Sequence, residues 1–385
     1  MRILFLMNGS EIGGAGNCLL RLCTELVKNP DLKISIINTE EGILNDQLKK
    51  LEINIYTIQS VYLKKIYLPK EFIRVFSNSY KFKKIIAYEK PDIIHAFTLP
   101  LVRRVFLFKK IGINPPVLGT IHDELTEEHF GKKKVKFFVK YINKYYNCLI
   151  SVSKSTKNIA NKSGVNDNII QVIYNGIPKI NTDFKPQEKN YFSVGNFGRI
   201  TKSKGQDVLI EAIHLLQNKI PSFKCYIVGK PPLGVDGSLE YFNKLKQKVK
   251  QYKLENIVSF VEWTDNIDFY YNEIDVYVLN SVNHDPFPTV NLEAMMHKKP
   301  VIAVNIGGSI EQIEEGKNGF LVEPNNAEMV AEKIIYLYQN SSKRIEMGEN
   351  GYKKVTEEFS IEKYTSSHIE LYRSILLKAN HINEN

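Results

Sequence analysis

Short apolar runs alternate with amphipathic helical stretches along most of the chain. In the first third, helical periodicity fills the intervals between five such runs. The runs cover residues 2–7, 32–38, 53–58, 92–97 and 116–122. Repeated strand–helix alternation is typical of parallel sheets with helices on both faces. The pattern starts again near residue 191, after a polar segment at 179–190, so we predict an α/β fold with two doubly wound domains.

Length and composition limit the number of domains and the classes of protein to which the chain can belong. A chain of 385 residues is too long for one ordinary core, and we place the domains at residues 1–180 and 181–360, followed by a final segment at 361–385. Residues 2–7 are too short for a signal peptide and no run reaches membrane-spanning length, which predicts a cytoplasmic protein, or one peripheral on the inner face of the membrane. The four cysteines lack metal-ligand spacing, so no metal site is predicted.

Positive charge is concentrated in the first half of the chain. Residues 1–180 hold 28 Lys and Arg against 15 Asp and Glu, a net +13, and the remainder has a net −3, which together give +10. Residues 61–110 combine 12 basic side chains with many aromatic ones, and residues 132–141 repeat that composition. Interleaved cations and rings suit the surface of an anionic membrane. A lysine-rich, solvated surface over an apolar core explains the pattern equally well.

Two acidic residues stand eight positions apart after a predicted buried strand at 275–279. Asp285 lies in the loop that follows this strand, and Glu293 lies in the next helix. Both can line a cleft at the carboxyl end of a parallel strand, which is where open α/β sheets bind ligands. Taken alone, an Asp-Pro turn and a solvated helical Glu account for the pair without any ligand.

The segment between the two acids has the character of an anion site. Pro286 and Pro288 stiffen the approach to the helix, and the first backbone N–H groups of that helix, from Thr289 and Val290, have no partner within it. Such a helix start is a ready site for phosphate. We therefore predict that residues 286–290, Phe287 included, contact an anionic, polyhydroxylated ligand.

Two cations follow the first strand of the second domain. Arg199 and Lys204 stand between that strand and an apolar helix that begins near residue 206. Arginine offers a planar fork, lysine a compact charge, and the helix start adds its dipole, so the three together can hold a phosphate group. An ordinary basic surface loop is the alternative.

Two features of the first domain stand at strand ends. His122 ends the predicted strand 116–122 and precedes Asp123, although a single histidine at such a place is more often structural. Gly13 and Gly14 lie between the first strand and the first helix, where a bare backbone lets a phosphate or sugar approach. A plain tight turn would explain these glycines as well.

The succession of motifs resembles family 4 of the retaining nucleotide-sugar glycosyltransferases. The E-x7-E motif of that family corresponds to residues 285–293, with Asp285 in place of the first Glu, and its Gly-Arg-x-x-x-x-Lys-Gly motif corresponds to residues 198–205. Three further segments match: a Thr-x-His-Asp strand end at 120–123, a Gly-Gly-x-x-Glu turn at 307–311 and an Asn-Gly-Phe-Leu-Val hairpin at 318–322. The chain departs from the family at Tyr174, where a proline is usual, and in residues 228–232.

The resemblance implies the GT-B fold, in which two Rossmann-like domains face each other across a cleft. The acceptor then binds the first domain, the nucleotide sugar binds the second, and the final helix at 361–385 crosses back to the first.

The resemblance also implies roles for named residues. Arg199 and Lys204 bind the diphosphate without a metal, and Trp263 and Thr264 lie near the nucleobase. Glu293 holds the ribose, Asp285 supports the sugar near its anomeric carbon, and His122 contacts sugar hydroxyls. Gly13 and Gly14 contact the diphosphate or the acceptor. A core position is an equal alternative for Trp263.

The function expected from this resemblance is retaining transfer of a hexose from a nucleotide sugar, with UDP-sugar favoured. The acceptor would be a lipid-linked or cell-surface glycan in bacterial polysaccharide biosynthesis, and no nucleic-acid partner or cofactor is expected. Two other classes stay open. One is a nucleotide-sugar epimerase on the same fold, which would not need an acceptor. The other is a non-catalytic membrane or nucleic-acid binder on a decayed scaffold, against which the intact Arg199, Lys204 and Glu293 argue.

Overall fold

A computed structural model describes residues 1–9, 13–59, 69–180, 189–232, 235–264 and 266–383, with side chains for all of these except 69–76 and 380–383. The chain forms two compact units. The first contains Met1–Pro178 together with Ile361–Asn385, and the second contains Lys179–Ser360.

The first unit is built on a parallel sheet of seven strands, in the order β3-β2-β1-β4-β5-β6-β7. Its strands are β1 (Arg2–Met7), β2 (Lys33–Asn38), β3 (Asn54–Thr57), β4 (Ile93–Ala96), β5 (Val117–Ile121), β6 (Cys148–Ser151) and β7 (Ile170–Val172). The helices between them are α1 (Gly14–Leu26), α2 (Ile43–Lys49), α3 (Pro69–Glu89), α4 (Val102–Lys110), α5 (Glu127–Phe130), α6 (Lys132–Tyr145) and α7 (Lys154–Lys162).

The second unit is built on a six-stranded parallel sheet in the order β10-β9-β8-β11-β12-β13. Its strands are β8 (Phe192–Phe197), β9 (Phe223–Val228), β10 (Val258–Val261), β11 (Val276–Leu279), β12 (Val301–Val304) and β13 (Gly319–Val322). Its helices are α8 (Gln206–Leu216), α9 (Ser238–Gln251), α10 (Ile267–Glu273), α11 (Thr289–Met296), α12 (Ser309–Gln312), α13 (Ala327–Gln339) and α14 (Ser341–Glu358).

The prediction of a hairpin at residues 318–322 is wrong. These residues form β13, which pairs in parallel with β12, with Val301 opposite Gly319. Parallel pairing needs a crossover between the two strands, and the short helix α12 lies in that connection. Gly319 fits there because a Cβ atom would stand 2.1 Å from the carbonyl oxygen of Val301.

The last helix, α15 (Ile361–Asn383), belongs to the first unit. Alternate residues of β1 point to the two faces of the first sheet: Ile3, Phe5 and Met7 join one apolar core, and Leu4 and Leu6 join the other. The buried side chains of α1 and α15 lie in the same core as Phe5. Completion of that core therefore requires the carboxyl-terminal segment of the chain.

Both sheets have an internal switch point, where the chain reverses its direction of winding. In the second sheet the chain runs from β8 outward through β9 and β10, then returns to place β11 on the other side of β8. The carboxyl ends of β8 and β11 therefore flank a switch point, and open α/β sheets bind ligands in the crevice outside such a point. In the part of the chain that the structure describes, no helix is long and apolar enough to cross a membrane.

Candidate functional site

The loops that follow β8 and β11 meet at the switch point of the second sheet. The Lys204 ammonium forms an ion pair with the Asp285 carboxylate, although the two residues are 81 positions apart. The backbone N–H of Val282 donates to the carbonyl oxygen of Ser203 at 2.9 Å. The strand order thus brings together two residues that the sequence singled out separately.

Glycines hold this edge of the sheet together. Gly205 has φ +61°, and a Cβ atom there would stand 2.0 Å from the carbonyl oxygen of Asn280. Gly307 has φ +62°, and its Cβ would stand 2.3 Å from the carbonyl oxygen of Asp285, which also accepts the backbone N–H of Gly308 at 2.8 Å. Any other residue at 205 or 307 would combine a left-handed backbone with a steric clash. The loops after β8, β11 and β12 therefore form one close-packed assembly.

The ion pair changes how the two predicted roles must be read. The sequence assigned Lys204 to a diphosphate and Asp285 to a sugar, whereas in the structure each is the partner of the other. Their side chains are 21% and 16% exposed, so the pair lies at the surface of the crevice and a ligand can reach it. An ammonium group has three N–H donors, and Lys204 can keep Asp285 while donating to a second acceptor.

Arg199 is placed differently from Lys204. Its side chain is exposed, and its guanidinium makes no hydrogen bond or ion pair with the residues that the structure describes. Its backbone carbonyl is fixed, because it accepts from Gln206 Nε2 at 3.0 Å. The result is an unpaired cation on a fixed loop at the crevice.

Helix α11 begins beside Asp285 with uncapped backbone groups. Pro288 is its N-cap residue, and no side chain accepts a hydrogen bond from the first turn, which starts at Thr289 and Val290. The Pro288 carbonyl accepts from Gln312 Nε2 at 3.1 Å, which fixes the start of the helix. Phe287 is 4% exposed and its ring packs on Phe359, so this side chain is part of the core.

Glu293 lies in the second turn of α11 and is half-buried. The hydroxyl of Tyr271, on α10, stands 3.0 Å from Glu293 Oε2. Tyr271 was not among the residues predicted from the sequence, since it reads as one apolar position of a short helix. No periodicity signal distinguishes a buried tyrosine that packs from one that also holds a functional carboxylate.

Trp263 follows β10 at the same edge of the sheet. Half of its surface, 51%, is exposed, which excludes the alternative of a core position. Thr264 Oγ1 accepts the backbone N–H of Asn266 at 3.1 Å and so turns the loop. A large exposed ring at the carboxyl edge of the sheet can stack on a planar ligand group.

The sequence also missed Asn280 at the end of β11. Its side chain is 2% exposed, and neither its amide nitrogen nor its amide oxygen has a hydrogen-bond partner among the described residues. A buried amide without partners is uncommon and costly, so its presence between the two loops calls for a reason other than packing. The only signal in the sequence is one amide directly after four apolar residues.

His122 lies where expected, immediately after β5, at the carboxyl edge of the first sheet. Its ring lies 5.0 Å from that of Phe97, and its Nε2 atom is buried without a partner in the described part of the chain. Burial, with a smaller contribution from His368, lowers the pKa of His122 to about 3. The imidazole is therefore neutral near pH 7 and can donate or accept a hydrogen bond.

Gly13 and Gly14 form the start of α1, at the switch point of the first sheet. Gly13 is its N-cap residue with an ordinary extended backbone, φ −98°, and no side chain caps the helix. A Cβ atom at either position would meet nothing within 4 Å. Neither backbone conformation nor packing within the described residues requires glycine here.

Among the described residues, no group of three or more His, Cys, Asp or Glu side chains is arranged to hold a metal ion. The basic run at 61–68, part of the predicted membrane surface, lies outside the residues that the structure describes.

Known proteins resemble the chain over both units. The family model described as "Glycosyltransferase Family 4" matches residues 12–179, and that described as "Glycosyl transferases group 1" matches residues 179–354. An uncharacterised glycosyltransferase of Methanocaldococcus jannaschii is 31% identical over 305 residues, which cover 77% of this chain and 80% of that protein. The capsular polysaccharide biosynthesis glycosyltransferase CapM of Staphylococcus aureus is 30% identical over 59% of this chain and 63% of its own.

Solved structures agree in fold. The crystal structure of HepE of Anabaena in complex with UDP superposes with a TM-score of 0.85 over 97% of this chain and 100% of that chain, at 24% sequence identity. A second structure of HepE, in complex with UDP-glucose, superposes with a TM-score of 0.84. The chain thus belongs to the family 4, group 1 glycosyltransferases and has their GT-B fold.

Proposed function

We propose that this glycosyltransferase binds a nucleotide sugar, with UDP-sugar favoured, at the carboxyl edge of the second sheet. The observation that carries the proposal is that an unpaired Arg199, the Lys204 ammonium and the uncapped start of α11 all belong to the segments that follow β8 and β11 at one switch point. An unpaired cation, an ammonium with N–H donors beyond its ion pair and an uncapped helix start suit a diphosphate. The HepE complexes with UDP and UDP-glucose support this ligand class.

The same groups would carry the chemistry. As the bond between sugar and diphosphate breaks, negative charge grows on the leaving oxygen, and Arg199, Lys204 and the α11 N–H groups stabilise it without reorganisation. Asp285 stabilises the positive charge that develops at the anomeric carbon, and Glu293 accepts hydrogen bonds from the ribose hydroxyls. Transfer proceeds with retention and without a metal ion, and the acceptor is a lipid-linked or cell-surface glycan, as CapM's capsular role suggests.

Thermal melting against UDP-, GDP-, ADP- and CMP-sugars in EDTA tests the donor site, since a ligand that binds the folded state raises the melting temperature by mass action. We expect one nucleotide to stabilise the parent and to stabilise Arg199→Ala and Lys204→Ala much less. Lys202→Ala is the matched control, because Lys202 is an exposed cation of the same loop at a variable position of the motif. No shift with any nucleotide would overturn the proposal.

We also propose that α4 and α6 bind an anionic membrane, where a lipid-linked acceptor would be found. Val135, Phe138 and Ile142 face the core, while the opposite side of α6 is basic and aromatic. This surface, the basic-aromatic face, consists of the exposed Lys132, Lys133, Lys136 and Lys140 and the half-buried Phe106, Phe137, Tyr141 and Tyr145. Each exposed cation near such a surface contributes about 1 kcal/mol.

Sedimentation with vesicles tests this face. We expect binding to phosphatidylglycerol vesicles that weakens as salt is added, and little binding to phosphatidylcholine. Lys132→Glu/Lys136→Glu should abolish it, whereas Lys219→Glu/Lys250→Glu, which changes the same charge on exposed residues of the second unit, should not. Vesicle binding that does not depend on salt concentration would contradict the proposal, as would an equal loss of binding in both double variants.

A further inference from the structure

The Glu293 carboxylate has a buried partner. Tyr271 is 1% exposed, and its hydroxyl lies 3.0 Å from Glu293 Oε2 and 3.4 Å from the carbonyl oxygen of Val290. A phenol has one proton to donate, and a carboxylate is a stronger acceptor than a helix carbonyl. The Tyr271 hydroxyl therefore donates to Glu293.

Tyr271 cannot easily move away from this position. Its ring stacks on His297, with centroids 4.7 Å apart and planes at 19°, and meets the ring of Phe197 edge-on at 4.7 Å. A buried aromatic side chain fixed on two sides keeps its hydroxyl at one point in space. The donor to Glu293 is thus preorganised by the core of the second unit.

His297 fixes the same residue through its main chain. Its Nδ1 lies 2.8 Å from the Glu293 carbonyl oxygen, and because a carbonyl can only accept, Nδ1–H is the donor. The other ring nitrogen, Nε2, lies 3.1 Å from Asp268 Oδ1, outside the geometry of a hydrogen bond. Glu293 is held at its carboxylate by Tyr271 and at its backbone by His297, and the two holding rings stack on each other.

The Tyr271 hydroxyl and the His297 ring set the orientation of the Glu293 carboxylate. A carboxylate has two oxygens with about four lone-pair sites, so it can accept from several donors at once. A freely rotating Glu side chain would have to lose rotamer freedom when it binds a ligand. A carboxylate oriented in advance binds a pair of neighbouring hydroxyls without that loss.

We propose that Tyr271 is a positioning residue that orients Glu293 toward the ribose hydroxyls of the donor nucleotide, and that discrimination between ribose and 2′-deoxyribose depends on it. This inference rests on the proposed donor site, in which Glu293 accepts those hydroxyls. It adds a requirement that packing alone would not create: the effect of removing the Tyr271 hydroxyl must depend on the 2′-hydroxyl of the ligand.

Calorimetric titration of the full chain with UDP, GDP and ADP, each beside its 2′-deoxy counterpart, tests the inference. The ribonucleotide that binds most tightly and its deoxy partner form the test pair. We expect the parent to prefer the ribonucleotide about tenfold or more, which is the range of a hydrogen bond to a charged group. In Glu293→Ala the preference should vanish.

Tyr271→Phe keeps the ring and removes only the hydroxyl. We expect the preference to fall to about two- to threefold, through weaker binding of the ribonucleotide and unchanged binding of the deoxynucleotide. Tyr277→Phe is the matched control: Tyr277 is fully buried, its ring lies 6.0 Å from that of Tyr271, and its hydroxyl donates to the Phe197 carbonyl at 3.1 Å. That variant should keep the preference of the parent.

The outcomes separate the two proposals. A preference lost in Glu293→Ala but intact in Tyr271→Phe overturns the role of Tyr271 and leaves the donor site standing. Equal weakening of both ligands in Tyr271→Phe, or the same loss in Tyr277→Phe, marks a purely structural role and overturns it as well. A parent that binds no nucleoside diphosphate overturns both. A parent that binds one without preferring ribose overturns the roles of Glu293 and Tyr271 and leaves the diphosphate site standing.

Discussion

The first helix of each unit starts at a glycine, but the two glycines differ in backbone conformation and in their surroundings. Both α1 and α8 have a glycine as N-cap residue and no capping side chain. Gly205, at α8, is held in a left-handed conformation against the carbonyl of Asn280, whereas Gly13, at α1, has an ordinary backbone with open space where a Cβ would be. The fold of the second unit therefore demands its glycine, and the fold of the first does not.

The same contrast extends to the charged residues. In the second unit, Lys204 and Asp285 belong to the predicted site and also connect two loops of the fold. In the first unit, His122 has an unpaired ring nitrogen, and no described residue hydrogen-bonds to it. Residues that serve fold and site together are constrained twice.

The largest effect should come from exchanging the two glycines for alanine. Gly205→Ala adds a left-handed strain and a Cβ that would stand 2.0 Å from a carbonyl oxygen, and we expect it to lower the free energy of unfolding by on the order of 3 kcal/mol. Gly13→Ala should change stability by less than about 0.5 kcal/mol and lower transferase activity. Urea denaturation and turnover assays measure both, and equal stability losses would break the contrast.

Substitutions of Lys204 and Arg199 should also differ in their effect on stability, although both should weaken donor binding. Lys204→Met leaves the Asp285 carboxylate, 16% exposed, without its ion-pair partner, and we expect a loss of about 2 kcal/mol in stability together with weaker donor binding. Arg199→Met removes an exposed, unpaired cation and should weaken donor binding with almost no change in stability. In Lys204→Met/Asp285→Asn stability should return while activity does not. A Lys204→Met variant as stable as the parent would show that the ion pair contributes nothing to the fold.

Acid should act on the first unit through its buried histidines. Burial lowers the pKa of His368 to about 4 and that of His122 to about 3, and it lowers the pKa of His95 well below its usual value. Above pH 6.5 these groups are neutral in both folded and unfolded chains. As pH falls from 6.5 toward 4, the unfolded chain takes up protons that the folded chain cannot, so stability is lost.

We expect His368 alone to cost about 1–2 kcal/mol of stability at pH 5 relative to pH 7. Denaturation at the two pH values, compared with His368→Gln, measures that share, since the variant should show a smaller difference. The Lys298–Glu349 surface pair, removed by Lys298→Met/Glu349→Gln, provides a control that should leave the pH dependence unchanged. A slope identical in His368→Gln and the parent would exclude this histidine as the cause.

The smallest effect should come from chelation. If Arg199, Lys204 and the α11 N–H groups meet the charge of the diphosphate, then EDTA should leave turnover unchanged within error. A loss of activity in EDTA that magnesium restores would mean that these cations share their task with a metal ion.

The sequence predicts the elements well because buried strands and amphipathic helices leave strong periodic signals. Strand ends differ by one or two residues, as where the predicted 53–58 is observed as Asn54–Thr57, since pairing with neighbouring strands decides where a ladder stops. The Lys204–Asp285 pair could not be predicted, because its formation depends on β8 and β11 being neighbours across 81 residues. Phe287 was assigned to the ligand although its ring packs in the core, a difference that only tertiary structure decides.

Synthesis of the chain gives the last helix a special position. Residues 179–360 form one uninterrupted unit, while the first unit needs α15, which follows the second unit in the sequence, to complete the core that contains Phe5. Domains usually fold in the order in which they are made. Here the second unit can fold first. The first unit can complete its core only after α15, which contributes Tyr364 and Tyr372, has been synthesised. A nascent chain stalled before residue 361 would therefore contain a complete second unit and a first unit whose apolar core is still open to solvent.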